Sequence, residues 1–523
     1  MSGEPVVEPS VADPLAASRA LSSRRRAAVT IGIMMGLFLA AIDQTVVSTA
    51  MPTVVAGLGG LNIYSWVFSA YLLAFTVTIP IWGRLSDVHG RRPYYLAGIG
   101  LFLLGSVLAG QARSMGFLVF SRFVQGLGAG GLFPIGFTIV GEIYSLEERA
   151  RIQGLFSGVW GFASIVGPLA GGLITDHLSW RWVFYVNVPF GLAAVVLIRA
   201  GLEEPSRHRD GPSVDYAGVG LLSGSLTALL LGLLEVGKGG STLEPRLVGL
   251  FAVALALFAL LVRNERRAGE HALVPVVLLQ NRIFRVSSSV SFLTGVGLFG
   301  TISFLPLFVQ GVLFGSATRA GSALTPLLLG WVILSIVSGR LILLMGYRLP
   351  VVSGMLFFAA GFVWLMQLGP ESAAGDLILP MALMGSGMGL VVLALMLAVQ
   401  GSVPRRLLGT ATSSNIFFRS IGGAVGVAVM GSVMSHRMSA RLAGLVDERL
   451  RGLAANPDAI VNQATRQALS PEAQQWLRAA LADSLHAVFV CGLLAAALAF
   501  AISLRFPAGS ARELAGGPEG IVG

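Results

Sequence analysis

The sequence predicts an all-α polytopic membrane protein, with fourteen transmembrane helices in two pseudo-symmetric six-helix bundles and two further helices inserted between them. Three observations lead there. The 523 residues are 54% hydrophobic and only 12% charged, whereas a soluble domain carries about 25% charged residues. The apolar residues gather into runs long enough to cross a bilayer, which takes roughly 20 helical residues. A sequence echo also links the first part of the chain to the second. Gly83-Arg84-Leu85-Ser86-Asp87-Val88-His89-Gly90-Arg91-Arg92 aligns without a gap with Gly339-Arg340-Leu341-Ile342-Leu343-Leu344-Met345-Gly346-Tyr347-Arg348.

The elements follow in chain order. Residues 1–27 form a polar tail ending in Arg24, Arg25 and Arg26. Basic residues before an apolar stretch resemble a signal peptide. The stretch runs on into further spans without a convincing small-residue cleavage site, so it reads as an uncleaved first span. Residues 28–200 then hold six spans, near 28–50, 64–82, 94–112, 115–142, 152–175 and 182–199. A linker at 201–270 carries two extra spans, 216–236 and 247–262. The second of these is short, and Arg246 and Arg263 at its ends have side chains long enough to reach the headgroups. Six more spans fill 271–505, near 286–312, 322–345, 349–369, 376–400, 410–436 and 484–505, and 506–523 is a second tail. Continuous apolar runs fit helices, which satisfy their own backbone groups in lipid, and not the alternating segments of a β-barrel.

Arginine is concentrated in the tails and in the loops that share a side with the N-terminus. Both termini are therefore expected in the cytoplasm, with the chain in the inner (plasma) membrane. The long loop 437–483 falls outside. Its Leu442, Leu445, Val446, Leu450 and Leu453 recur at helical spacing, and Ser470-Pro471-Glu472 is a helix start. Two amphipathic helices are expected there, lying on the lipid surface, docking an extracytoplasmic partner, or forming a solvated hairpin.

The net charge of +10 does not point to nucleic acid, because the basic residues are spread over short loops. Cys491 is the single cysteine and the six histidines form no metal-ligand spacing. No disulfide, metal site or clustered nucleophile is expected, and so no enzyme.

Ionisable groups deep in a membrane are costly and serve as functional candidates. Asp43 lies roughly 21 Å along the first span and Arg122 roughly 10 Å down the fourth, at 1.5 Å per residue. In a ~30 Å hydrocarbon core these depths nearly match. The two groups can therefore pair, directly or across a cavity, and a carboxylate so placed can take a proton when its counter-charge moves. A permanent salt bridge fixing two helices is the plainer alternative. Arg419 in the thirteenth span lies near mid-membrane with no acid at its depth, facing a cavity or bonding helix carbonyls. Asp87, Arg91, Arg92 and Glu142 share the inner level, where Gly83 and Gly90 permit close helix approach; a latch is expected there, with Glu142 paired to Arg91. The second copy has lost the acid, with Leu343 in place of Asp87. A further echo pairs Gly126-Leu127-Gly128-Ala129-Gly130 with Gly385-Ser386-Gly387-Met388-Gly389. Paired halves around a midplane site are the architecture of alternating-access carriers. The fifth span carries Gly154, Gly158, Gly161, Gly167, Pro168, Gly171 and Gly172, a composition suited to a close, moving helix interface.

These residues resemble a family. Gly83 to Leu96 resembles motif A of the major facilitator superfamily, departing at Val88, where the family has arginine. Arg122, Gln125, Gly126 and Gly128 resemble motif B. Ala163, Gly167, Pro168, Gly171 and Gly172, on the same glycine-rich span as Gly158, resemble the antiporter motif C, with alanine for its first glycine. Asp43 lies in a stretch, Leu39 to Val47, similar to the family's first-span motif, and Trp180 to Phe184 with Asn187-Val188-Pro189 also looks like this family. With fourteen spans, the chain is identified as a member of the drug:proton antiporters of the EmrB/QacA type. The resemblance implies proton entry driving outward release of a lipophilic small molecule, with Asp43 and Arg122 in proton coupling, Gln125 and Arg419 as cavity candidates, and no cofactor besides the proton gradient. Export of one endogenous lipid or natural product is the neighbouring alternative, and a non-transporting membrane sensor the more distant one.

Overall fold

The computed structural model describes residues 22–58, 64–203, 215–236, 244–269, 272, 275–315, 317–443 and 471–509. Fourteen helices of 15 residues or more follow one another among them: α1 Ser23–Leu58, α2 Tyr64–His89, α3 Arg91–Gly110, α4 Met115–Ile143, α5 Leu146–His177, α6 Asn187–Gly201, α7 Tyr216–Val236, α8 Pro245–Ala268, α9 Arg282–Leu307, α10 Thr325–Met345, α11 Arg348–Leu365, α12 Ile378–Gly401, α13 Leu408–Ala443 and α14 Pro471–Ser503. Among the described residues, twelve helices are long and apolar enough to cross a membrane, against the fourteen spans expected. The two helices not among them are α5, several of whose side chains lie outside the described residues, and α7, which among the described residues is a shorter apolar helix over Tyr216–Leu229.

Local sequence explains the starts of several helices. Ser145 and Glu148 form a reciprocal capping box at α5: the Glu148 N–H donates to Ser145 Oγ (3.3 Å) and the Ser145 N–H to Glu148 Oε2 (3.0 Å). Ser114 caps α4 through the Phe117 N–H (3.3 Å) and Asn281 caps α9 through the Phe284 N–H (3.1 Å). Between α2 and α3 the chain turns at Gly90 with φ 105°, a conformation that a side chain disfavours.

Apolar packing divides along the chain. One set of buried residues joins α1 to α6 around Tyr95, Phe102 and Leu132. Another joins α9 to α14 around Phe358, Met384 and Val488. The inserted α7 and α8 contribute Leu222, Leu226 and Leu261 to a smaller cluster with Leu73 and Val77 of α2 and Ile421 of α13.

The glycine echo has a packing counterpart. A Cβ on Gly126 of α4 would lie 2.4 Å from the Tyr71 carbonyl of α2, and one on Gly128 would lie 2.4 Å from the Gly98 carbonyl of α3. In α12, Gly385 stands likewise against Leu327 of α10 (1.9 Å) and Gly387 against Gly354 of α11 (2.4 Å). Each glycine run thus seats its helix against the two helices before it.

The long loop corrects one expectation. Pro471 does begin a helix, but α14 continues unbroken to Ser503, so 471–483 is the start of the last helix and not a separate amphipathic one. Polar ties account for the extension: Arg478 Nε donates to the Val312 carbonyl (2.6 Å), and Arg441 of α13 meets Asp483 at 3.0 Å. The residues expected to form the first amphipathic helix continue α13 to Ala443, and 444–470 lie outside the described residues.

Candidate functional site

Asp43 of α1 and Arg122 of α4 meet, each 1% exposed. Arg122 Nη1 lies 2.5 Å from Asp43 Oδ2 and donates at 2.5 Å to Gln125 Oε1. Arg122 Nε donates to the Val67 carbonyl (3.3 Å), and the guanidinium stands 4.3 Å from the Tyr71 ring centroid. Gln125 Nε2 donates to Asp43 Oδ1 and to Ser106 Oγ, both at 2.8 Å. Asn187 Nδ2 reaches the same two acceptors at 3.3 and 3.2 Å. Helices α1, α2, α3, α4 and α6 thus converge on one carboxylate. Gly105 makes the convergence feasible, since a Cβ there would lie 2.4 Å from the Gln125 backbone nitrogen.

A buried ion pair is tolerated when further hydrogen bonds satisfy both partners. Asp43 has two such donors, Gln125 and Asn187. Protonating it would remove the counter-charge of Arg122 and loosen Gln125 and Asn187 together. Sequence reasoning found Asp43, Arg122 and Gln125 but missed Ser106, and it singled out Asn187 only through the family resemblance. Neutral polar residues are common in membrane helices, so neither carried a signal of its own.

A second polar cluster lies at the end of the bundle where α1 begins, here called the latch end. Arg91 Nε and Nη2 donate to Glu142 Oε1 at 3.1 and 3.0 Å, Nη1 donates to Ser86 Oγ at 3.0 Å, and Nη2 pairs with Asp87. Asp87 also accepts from the start of α13: the Gly409 N–H at 3.0 Å and the Thr410 N–H and hydroxyl, both at 2.6 Å. A helix N-terminus leaves backbone donors unsatisfied and favours negative charge. Asp87 supplies both acceptor and charge from another part of the chain. Gly83 lets α2 and α13 close up, because a Cβ there would strike Ser413 Oγ at 2.0 Å. Nearby, Gln153 Nε2 of α5 donates to Gln400 Oε1 of α12 (3.0 Å), and Gln400 Nε2 donates to Thr412 Oγ1 (3.4 Å). Arg92 instead reaches the Arg199 carbonyl at 3.1 Å.

Residues 33–427 match the Major Facilitator Superfamily. The chain belongs to that superfamily. It is 36% identical over 496 residues to the multidrug transporter protein MdtP of Bacillus subtilis (90% of this chain, 91% of the relative). It is 34% identical over 485 residues to multidrug resistance protein 3 of the same organism (91% and 94%), and 32% identical over 438 residues to the efflux pump FUS6 of Gibberella fujikuroi (81% and 78%). Among solved structures, the human organic anion transporter MFSD10 superposes with a TM-score of 0.61 at 18% identity, covering 92% of this chain and 99% of its own. That likeness concerns the fold. The relatives carry the names of transporters and efflux pumps.

The remaining site residues of this superfamily chain are less alike than the sequence suggested. Gly167 of α5 packs against Thr45 of α1, where a Cβ would meet Oγ1 at 1.9 Å, and the Gly171 carbonyl accepts from Thr175 Oγ1 at 2.6 Å. Gly158 has nothing within 4 Å of a Cβ position and is not part of a close helix contact. Spacing marked Gly158 as glycine-rich without telling which way it faces. The side-chain surroundings of Pro168 and Gly172 lie outside the described residues. Arg419 of α13 is partly exposed, with no ion pair or hydrogen bond to its side chain among the described residues.

Proposed function

We propose that this chain is a proton-coupled antiporter of the fourteen-span type, exporting lipophilic or amphiphilic compounds by alternating access. The observation that carries the reading is the buried carboxylate Asp43, neutralised by Arg122 and held by Gln125 and Asn187. An ion pair this enclosed is expensive in a membrane protein and marks a proton path. Proton arrival at Asp43 releases Arg122 and unties five helices at once, which couples protonation to a change in packing. Two six-helix units, 28–200 and 271–505, move against each other in this reading, with 201–270 joining them and the tails 1–27 and 506–523 in the cytoplasm of the inner membrane. The latch of Asp87, Arg91 and Glu142 is then the cytoplasmic gate, closed in the form described. The names of the relatives support export over uptake.

The test is reconstitution into liposomes with an inside-acid pH gradient and an entrapped pH reporter. Lipophilic cations and neutral dyes should dissipate the gradient through the wild-type protein. Asp43→Asn should bring that flux to the level of empty liposomes while the protein still binds dye. Gradient loss that survives in Asp43→Asn removes Asp43 from the proton path, and silence from folded wild-type protein toward every compound ends the efflux reading.

A further inference from the structure

We propose that Arg419 and Asn415 form a head-group site for an anionic amphiphile, so that substrates carrying a single carboxylate, sulfonate or phosphate are preferred. The inference rests on the efflux reading and names a substrate class within it.

The site is defined by donors that lack acceptors. Thr412, Asn415 and Arg419 recur on α13 at the three- and four-residue spacing that puts side chains on one helix face. The direction of that face is fixed at its lower end, where Thr412 meets Gln400 of α12 and through it Gln153 of α5. It therefore looks between the two parts of the molecule. Asn415 is 1% exposed, and its Nδ2 has no hydrogen-bond partner among the described residues. Arg419 stands one turn further on, roughly 6 Å along the axis, a cation with no partner among the described residues.

Among the described residues no carboxylate is placed to neutralise Arg419. Between Arg282 and Met438 the sequence has two acids, Glu371 and Asp376. Both lie in the connection from α11 to α12, where the Glu371 side chain is 95% exposed and Asp376 accepts from the Ala373 N–H. Asp483 of α14 is paired with Arg441, and Asp43 with Arg122. A buried donor without an acceptor and a cation without a counter-ion are each costly in a membrane protein. Placed on one face they make a two-point site that an anionic group satisfies and a cationic group does not. The neighbouring residues on α13 are apolar: Ile416 packs with Met396 and Phe133, and Phe417 and Phe418 are in ring contact at 5.7 Å. An acyl chain or aromatic body finds matching surface beside the head group.

The test uses full-length protein in nanodiscs of zwitterionic lipid and three fluorescent probes with one apolar body: dansyl-undecanoic acid, its methyl ester and the matching trimethylammonium compound. Wild type should bind the acid most tightly. Arg419→Gln should weaken the acid roughly tenfold to hundredfold, the range for losing a charge-assisted hydrogen bond, while leaving the ester unchanged. The ester doubles as the control for folding. Arg419→Lys should keep part of the preference, and Asn415→Leu should lose a smaller part. Equal binding of acid and ester by wild type, or equal weakening of both in Arg419→Gln, overturns the inference and leaves efflux standing. Failure of all three probes to bind folded wild type also overturns the inference, and the efflux reading then stands or falls on the liposome flux test alone.

Discussion

Helices α4 and α12 share a glycine frame and differ in what they present to it. In α4, Gly126 and Gly128 press against α2 and α3; in α12, Gly385 and Gly387 press against α10 and α11. Four residues before Gly126 stands Arg122, and one residue before it stands Gln125. The matching positions before Gly385 are Met381 and Met384, both fully buried in the apolar core. The comparison separates two demands on one backbone. Glycines at fixed spacing set how closely helices approach, whereas the residues a turn away decide whether the contact is a packing surface or a charge network. The first part of the chain has closed its polar groups on one another around Asp43. In the second part α9 to α13 carry no acid, Asp483 of α14 is paired with Arg441, and Arg419 and Asn415 Nδ2 have no partner among the described residues.

The comparison breaks most visibly at Arg122. Arg122→Met should cost about 3–5 kcal/mol of stability, because it strands the Asp43 carboxylate without a partner. Met381→Leu and Met384→Leu conserve volume and should cost less than ~1.5 kcal/mol each. Thermal unfolding in a fixed detergent measures all three. Adding Asp43→Asn to Arg122→Met should restore part of the loss, since the stranded charge is then gone; a fully additive double variant would mean the pair is not energetically coupled.

A second contrast lies at the latch end, where α2 crosses α13 and α10 crosses α5. The start of α13 is capped by Asp87 from α2. The start of α5 is capped by its own Ser145 and Glu148, and the residue on α10 that aligns with Asp87 is the exposed Leu343. One helix terminus depends on a neighbour that can leave, and the other is satisfied whatever its neighbour does. Asp87→Asn weakens three bonds to α13, two of them from backbone donors, and removes the ion pair with Arg91. In a Cys491→Ser background with Ser413→Cys as reporter, it should raise the thiol-labelling rate by roughly tenfold, the worth of one charge-assisted bond. Leu343→Asp should leave that rate unchanged, because α5 already has its cap; faster or slower labelling would show that the two crossings work together. The smallest effect is expected from Ser145→Ala, about 1 kcal/mol of stability, again without a change in labelling.

Much of this was legible in the sequence, and the reasons for the gaps are physical. Asp43 and Arg122 stood out because charges are rare in lipid and their depths could be counted at 1.5 Å per residue. Asn187 and Ser106 complete the same network but are neutral and unremarkable in composition. The cap on α13 joins residues more than three hundred positions apart, and nothing local marks it beyond the missing cap residue before Leu408. Hydropathy placed the last span at 484, while the helix begins at Pro471, because Arg478 and Asp483 are polar residues whose partners on α13 and in the loops only the folded chain supplies. The glycines of α5 illustrate the same boundary: a Cβ on Gly167 would strike α1, whereas one on Gly158 would meet nothing within 4 Å, although both fit the spacing.

The contacts that hold the latch end have a thermal consequence. Asp87 with Gly409 and Thr410, and Gln153 with Gln400, are polar groups that water satisfies once they part. Heat-capacity change follows apolar surface exposed to water, and polar exposure opposes it. Separating these contacts should therefore carry little heat-capacity change, so the logarithm of the closed-to-open ratio should run nearly straight against reciprocal temperature.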